Sequence, residues 1–260
     1  MKEAIGVFDS GLGGLTVLKE LIKNFPKENF VYLGDTARLP YGSKSPEVIR
    51  KYTEQNIQFL IQQNVKCIVV ACNSASTVID FNELHGTPIY NVITPGAKKA
   101  LDVSVTKRIG LLGTRATIAS RAYQQRILKM DMNVDIFDMA CPLFVPFAEE
   151  GMDLDPITNL IAFRYIQPLV DQKIDTLILG CTHYPLLRGS IQRVTQQSIA
   201  LVDSGETIAL LLKEDFSQGR LKQSGSGLVR ILTTDFSQHF KNLAEKILET
   251  KSLEIELVQI

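Results

Sequence analysis

The 260-residue chain balances 28 Lys and Arg against 28 Asp and Glu, holds four cysteines, and has no apolar stretch near the ~18 residues that span a bilayer. Balanced charge gives no overall field for nucleic acid or an anionic membrane, and sparse cysteines suit a reducing compartment. A globular cytoplasmic protein of one large domain or two small ones is expected, and Met1-Lys2-Glu3 runs into strand-like Ala4-Ile5-Gly6-Val7 without a signal-peptide pattern.

Strand-like and helix-like segments then alternate, the mark of α/β architecture. Ala4–Val7 leads through Asp9-Ser10-Gly11-Leu12-Gly13-Gly14 into a helix with Leu15, Leu18, Leu21 and Ile22 on one face. Phe30–Leu33 is the next strand, followed by a polar loop through Gly42. Ser45-Pro46-Glu47 opens a helix, with a capping Ser and Pro at the first position. The run Ile68-Val69-Val70-Ala71-Cys72 is a buried strand, a helix is expected to about Leu84, and Ile89–Val92 is a short strand. Thr94-Pro95-Gly96 breaks the pattern and reads as a linker.

A second series follows: strand Arg108–Leu112, turn Gly113-Thr114, helix Ala116–Lys129, strand Asn133–Phe137, helix Pro156–Val170, strand Leu177–Cys181 and strand Ala200–Val202. Ile109-Gly110-Leu111-Leu112-Gly113-Thr114 echoes Ile5-Gly6-Val7-Phe8-Asp9-Ser10 at nearly the offset that separates Cys72 from Cys181. Two like α/β halves with mainly parallel sheets are expected. Residues 218–227 form a polar loop, and the tail from Leu228 is expected to pack back onto the first half. The domains are then 1–96 plus 208–260, and 97–207.

Cys72 and Cys181 each close an apolar run and precede a helix-capping type, Asn73 or Thr182. Each thiol would sit at a strand's carboxyl end, where open α/β sheets bind ligands. Metal binding is disfavoured because C-x₂₋₄-C pairs are missing and Cys181-Thr182-His183 has an uncommon zinc spacing. Cys67 and Cys141 read as structural. The glycine turn fits neither a dinucleotide fingerprint, since Thr16 replaces its last glycine, nor a Walker motif. Its N–H groups and Ser10 could hold a carboxylate or phosphate, with Asp9 either facing the same cleft or only capping the helix. Pro40-Tyr41-Gly42 offers N–H groups and a phenol. Cys141–Gly151 reads as an extended two-proline connection whose Glu149 and Glu150 either serve a site or form an exposed turn. Asp203-Ser204-Gly205 reads as a cap and turn.

Thiols on both faces of a small ligand imply racemisation: one thiolate removes a proton from carbon and the other, as a thiol, returns one to the opposite face. An unperturbed thiol titrates near ~8.5, so modest tuning leaves one of each at neutral pH. A non-catalytic amino-acid-binding module would use the same helix termini without needing both thiols.

Val7-Phe8-Asp9-Ser10-Gly11-Leu12-Gly13-Gly14, Leu39-Pro40-Tyr41-Gly42, Ala71-Cys72-Asn73 and Leu179-Gly180-Cys181-Thr182-His183-Tyr184-Pro185 resemble the motifs of bacterial glutamate racemases, in order along almost the whole chain. The resemblance implies two α/β domains, related by a pseudo-twofold, with glutamate enclosed in the cleft between them. It further implies no cofactor (pyridoxal phosphate in particular), no metal, and supply of D-glutamate for peptidoglycan. Cys72 would act on the D enantiomer and Cys181 on the L, with Asp9, Glu149 and His183 as auxiliary groups. Asp9, as an acceptor for the substrate ammonium, and Ser10, Tyr41, Gly42, Asn73, Ser74, Thr182 and His183 would contact substrate; Ser74 stands where the family usually has Thr. Thr114 and Thr117 match a Gly-Thr-x-x-Thr stretch and would line the cleft. Aspartate or a hydantoin is the rival substrate by the same chemistry, and a homodimer is compatible with this reading.

Overall fold

Apolar runs without polar alternation form the strands, as they must when both faces of a sheet are covered. In the computed structural model, which describes residues 4–196 and 198–260, β1 (Ala4–Asp9) is buried along its whole length; the reading of Met1-Lys2-Glu3 lies outside the described residues. The glycine turn leads into α1 (Leu15–Asn24), then β2 (Asn29–Gly34) and two short 3-10 turns at Thr36–Arg38 and Tyr41–Ser43. α2 (Pro46–Gln62) starts where Ser45 accepts the Val48 N–H.

β3 (Val65–Val70) is followed by α3 (Asn73–Ser76), a single turn rather than the expected helix to Leu84. Its hydroxyls draw the backbone away from a helix: Ser76 donates to the Val70 carbonyl and Thr77 to that of Ser74. β4 (Glu83–Leu84) and β5 (Thr87–Asn91) pair antiparallel instead. The supposed linker is the first turn of α4 (Ile93–Val103). Pro95 fits there because first-turn N–H groups have no helical partner, and Gly96 admits the Tyr123 ring.

β6 (Arg108–Gly113) precedes α5 (Arg115–Ser120) and α6 (Ala122–Met130), which divide the expected single helix at left-handed Arg121, φ 55°. After β7 (Asp135–Ala140), part of the expected extended connection is helical: α7 (Phe144–Glu149) holds Pro146 in its first turn. α8 (Pro156–Val170), capped by Asp155, has the expected limits. The chain closes with β8 (Thr176–Gly180), α9 (Arg188–Thr195), β9 (Ala200–Asp203), α10 (Ser204–Ser217), β10 (Val229–Thr233), α11 (Gln238–Leu248) and β11 (Ile255–Leu257). Asp203 caps α10 by accepting the Glu206 N–H.

Two sheets result, ordered β11-β10-β2-β1-β3-β5-β4 and β7-β6-β8-β9, and among their strand pairs only β4–β5 is antiparallel. The segments β2-β1-β3-β5 and β7-β6-β8-β9 have the same order, so β3 and β8 occupy like places and carry Cys72 and Cys181 at their carboxyl ends. Each sheet is covered on both faces. α1, α10 and α11 pack Leu18, Ile208 and Phe240 on one side of the larger, and α2 packs Ile57 and Leu60 on the other. α8 contributes Ile166 to one face of the smaller, and α6 contributes Tyr123 and Ile127 to the other. Among the described residues no helix is long and apolar enough to cross a membrane.

Candidate active site

A cavity of about 380 Å³ lies at the carboxyl ends of the two sheets and is lined by both Cys72 and Cys181. Cys72 caps α3: its Sγ accepts the Ala75 N–H at 3.5 Å, and its thiol donates to Ser10 Oγ at 3.5 Å. Burial pushes this thiol up to about 12, helped by the Asp9 charge and opposed by Ser10 and the Ala75 N–H. Desolvation therefore outweighs the single-turn helix, and Cys72 is a neutral thiol at pH 7.

Cys181 Sγ lies 3.8 Å from His183 Nδ1, and His183 Nε2 lies 3.1 Å from Glu149 Oε1. Burial pulls the imidazole down, but its hydrogen bonds to Cys181 and Glu149 and their charges hold it up at about 10. His183 is thus an imidazolium at neutral pH, with one N–H for the sulfur and the other for the carboxylate. The Glu149 backbone carbonyl in turn meets His239 Nε2 at 3.1 Å. Because α7 is helical, Glu149 closes its last turn, lining the cavity.

Asp9, expected among the substrate contacts, is fully buried and lies behind the cavity wall rather than in its lining. Its carboxylate accepts the Gly11 N–H at 2.9 Å and the Thr182 hydroxyl at 3.2 Å, with the Gly14 N–H adding to them. Burial raises its pKa, and the His183 charge opposes the rise. Asp9 therefore ties the glycine turn to the Cys181-Thr182-His183 turn across the two sheets. A Cβ at Gly13 would come within 2.4 Å of both His183 Nδ1 and Thr182 Oγ1, so close approach demands the glycine here. Thr16 also donates to the Thr182 carbonyl at 2.9 Å.

Ser10, Tyr41, Gly42, Asn73, Ser74, Thr114, Thr182 and His183 all line the cavity, whereas Thr117 sits one layer behind. The Tyr41 hydroxyl donates to Asp35 and takes the Asn56 amide N–H at 3.0 Å, so the phenol expected to reach a ligand is already engaged. Gly42 packs on Thr114, where a Cβ would meet Thr114 Cβ at 2.6 Å. Ser74 Oγ stands 2.9 Å from Thr114 Oγ1 and 3.4 Å from Thr117 Oγ1, so the hydroxyl replacing the family's Thr bridges the sheets. Asn73 Oδ1 accepts the Tyr123 hydroxyl at 2.7 Å, and its Nδ2 donates to Ser204 Oγ at 3.1 Å. Cys67 and Cys141 belong to cores, as expected.

Sequence reasoning missed Arg115, Val145 and Pro146 in the lining, and Tyr123 and Ser204 as the braces of Asn73. The only cue for Arg115 was its place next to Thr114. Ser204 was read only as part of a cap and turn, and Tyr123, distant in sequence, carried no cue.

The family model for Asp/Glu/Hydantoin racemase matches residues 5–212. The chain is 42% identical to a glutamate racemase of Chlorobaculum tepidum over 259 residues, 98% of this chain and 95% of that one. Its fold matches a glutamate racemase isoform of Bacillus anthracis with a TM-score of 0.94 at 33% identity, covering 100% and 99% of the two chains. It also matches a glutamate racemase of Francisella tularensis, solved in complex with D-glutamate, with a TM-score of 0.90 at 36% identity over 99% and 98%. With agreement this close over nearly its full length, the chain belongs to the Asp/Glu/Hydantoin racemase family.

Proposed function

We propose that this protein interconverts L- and D-glutamate by a two-thiol proton transfer that uses neither pyridoxal phosphate nor metal. One observation carries the reading: Cys72 and Cys181, from like-placed strands of two sheets, line a single cavity. In the L-to-D direction the Cys181 thiolate takes the α-proton, leaving a planar carbanion, and the Cys72 thiol gives its proton to the opposite face. The next D-to-L turnover runs in reverse. Burial keeps Cys72 protonated and so poised as the acid for L-glutamate, while the His183 imidazolium donates to the sulfur of Cys181. Glu149 holds His183 in that orientation. Asp9 fixes the turn that presents Ser10 and Thr182.

Donors must face the substrate carboxylates to make the α-proton removable, and Ser10, Gly42, Asn73, Ser74, Thr114, Thr182 and His183 supply them. Lobes of residues 1–96 with 208–260, and 97–207, would enclose the ligand. The product would be D-glutamate for peptidoglycan, made in the cytoplasm. The breadth of the family leaves aspartate or a hydantoin as the competing substrate.

Racemisation in deuterated water tests the chemistry. Label should enter the inverted product while substrate sampled early stays unlabelled. Cys72→Ala and Cys181→Ala should each cut racemisation by at least about 10²-fold, since every turnover needs one acid and one base. Near-parental racemisation by Cys72→Ala would refute the two-thiol mechanism, and comparable kcat/KM on aspartate would change the substrate.

A further inference from the structure

Beside the thiol chamber lies a second cavity of about 520 Å³, and the two share Gly42, Ser43 and Arg115 as lining. Three cations, Lys44, Arg50 and Arg115, line it, and no carboxylate does. Arg50 is spanned by Asp80 at 3.6 Å, whereas among the described residues no acid lies within ion-pair distance of Lys44 or Arg115. A larger cavity elsewhere, of about 640 Å³, also has three cations, Lys19, Arg188 and Lys246, but they alternate with four acids. Three cations without a carboxylate thus gather beside the thiols, in a chain whose charge is balanced. Arg115 is also the only Lys or Arg among the described residues that line the thiol chamber.

We propose that this cationic cavity is a capture site for the anionic amino-acid substrate, and that Arg115, at its junction with the thiol chamber, sets affinity for carboxylate ligands. The chemical class is a small carboxylate bearing net negative charge. The inference rests on glutamate being the ligand and adds a route and a residue to that reading. Low-dielectric walls lined by one sign of charge concentrate the opposite sign, and the effect fades with salt. Acting by charge from the junction, Arg115 stabilises ligand and transition state alike. It lowers KM without raising kcat.

The test compares the parent with Arg115→Gln, Arg115→Glu and Lys44→Gln by calorimetric titration of L-glutamate and by racemisation kinetics, each at low and high salt. A unit charge about 10 Å away in water changes affinity for a monoanion about twofold. Arg115→Gln and Lys44→Gln should therefore weaken binding and raise KM about twofold at low salt, and Arg115→Glu about fourfold, with kcat retained. At about 0.5 M salt the variants should converge on the parent. The proposal is overturned if Arg115→Glu binds as tightly as the parent at low salt, if its deficit persists undiminished at high salt, or if kcat falls as far as kcat/KM. A parent that fails to racemise glutamate yet binds it in this Arg115-dependent way overturns the racemase reading alone.

Discussion

Tyr123→Phe removes one atom from the buried brace behind the cavity. In the parent, Asn73 is buried, with Oδ1 taking the Tyr123 hydroxyl at 2.7 Å and Nδ2 giving to Ser204 at 3.1 Å. The variant leaves the buried Oδ1 without that donor, which costs about 1–3 kcal/mol. For a chain of this size each kcal/mol lowers Tm by about 2–4 °C, so a fall of about 2–12 °C is expected by calorimetry or circular dichroism. The Asn73 amide, no longer held from one side, should also raise KM several-fold in both directions while the thiols keep their chemistry. Ser204→Ala removes the other end of the brace. If the three residues act as a unit, the double variant should cost at least about 0.5 kcal/mol less than the sum of the single ones. A Tyr123→Phe protein within about 1 °C of the parent Tm and with unchanged KM would show that the brace neither stabilises the fold nor orients Asn73.

Gly13→Ala should cost about 1–3 kcal/mol of stability, because its Cβ must displace His183 and Thr182; it should also lower kcat/KM about 10²-fold, and parental activity would refute the close-approach role. His183, raised from 6.5 to about 10, contributes stability that is full below about 6.5 and is lost as pH rises through about 10, so urea unfolding should show the parent's advantage over His183→Asn shrinking across that window. An advantage constant with pH would mean that His183 is not charged. Cys72, pushed up to about 12, should be alkylated by iodoacetamide slowly at pH 7 and at rates still climbing beyond pH 10, followed by mass spectrometry; a rate that levels off below pH 8 would mean the thiolate is already formed there.

Much of the architecture was legible because buried parallel strands advertise themselves. Ala4–Val7, Phe30–Leu33 and Arg108–Leu112 lie inside β1, β2 and β6, and Pro156 marked the start of α8. Errors gathered at proline, whose effect depends on its position in a helix. Pro95 and Pro146 both occupy first turns, where a missing N–H costs nothing, yet each was read as breaking structure. The hydroxyl-rich segment after Cys72 was read too long, since back-bonding to carbonyls is invisible in a pattern of polar residues. At the site, the thiols and the glycine turn were legible from local spacing. The contact of Glu149 with His183 joins residues 34 apart, and that of Tyr123 with Asn73 joins residues 50 apart, so only the folded chain reveals them. Tyr41 shows the converse: its place in the wall was legible, but Asp35 and Asn56 claim its hydroxyl from inside the core.

The larger sheet is finished by strands synthesised about 200 residues after β2. Asn29, at the start of β2, accepts the N–H of Ser226, 197 residues later, and β10 then pairs along β2. The smaller sheet draws all its strands from residues 108–203 and can close while the flank of β2 is still bare. At about 5–20 residues per second, that flank waits about 10–40 s on the ribosome for its partner. During each round of synthesis, an edge that the finished protein hides completely is open to strands of neighbouring nascent chains.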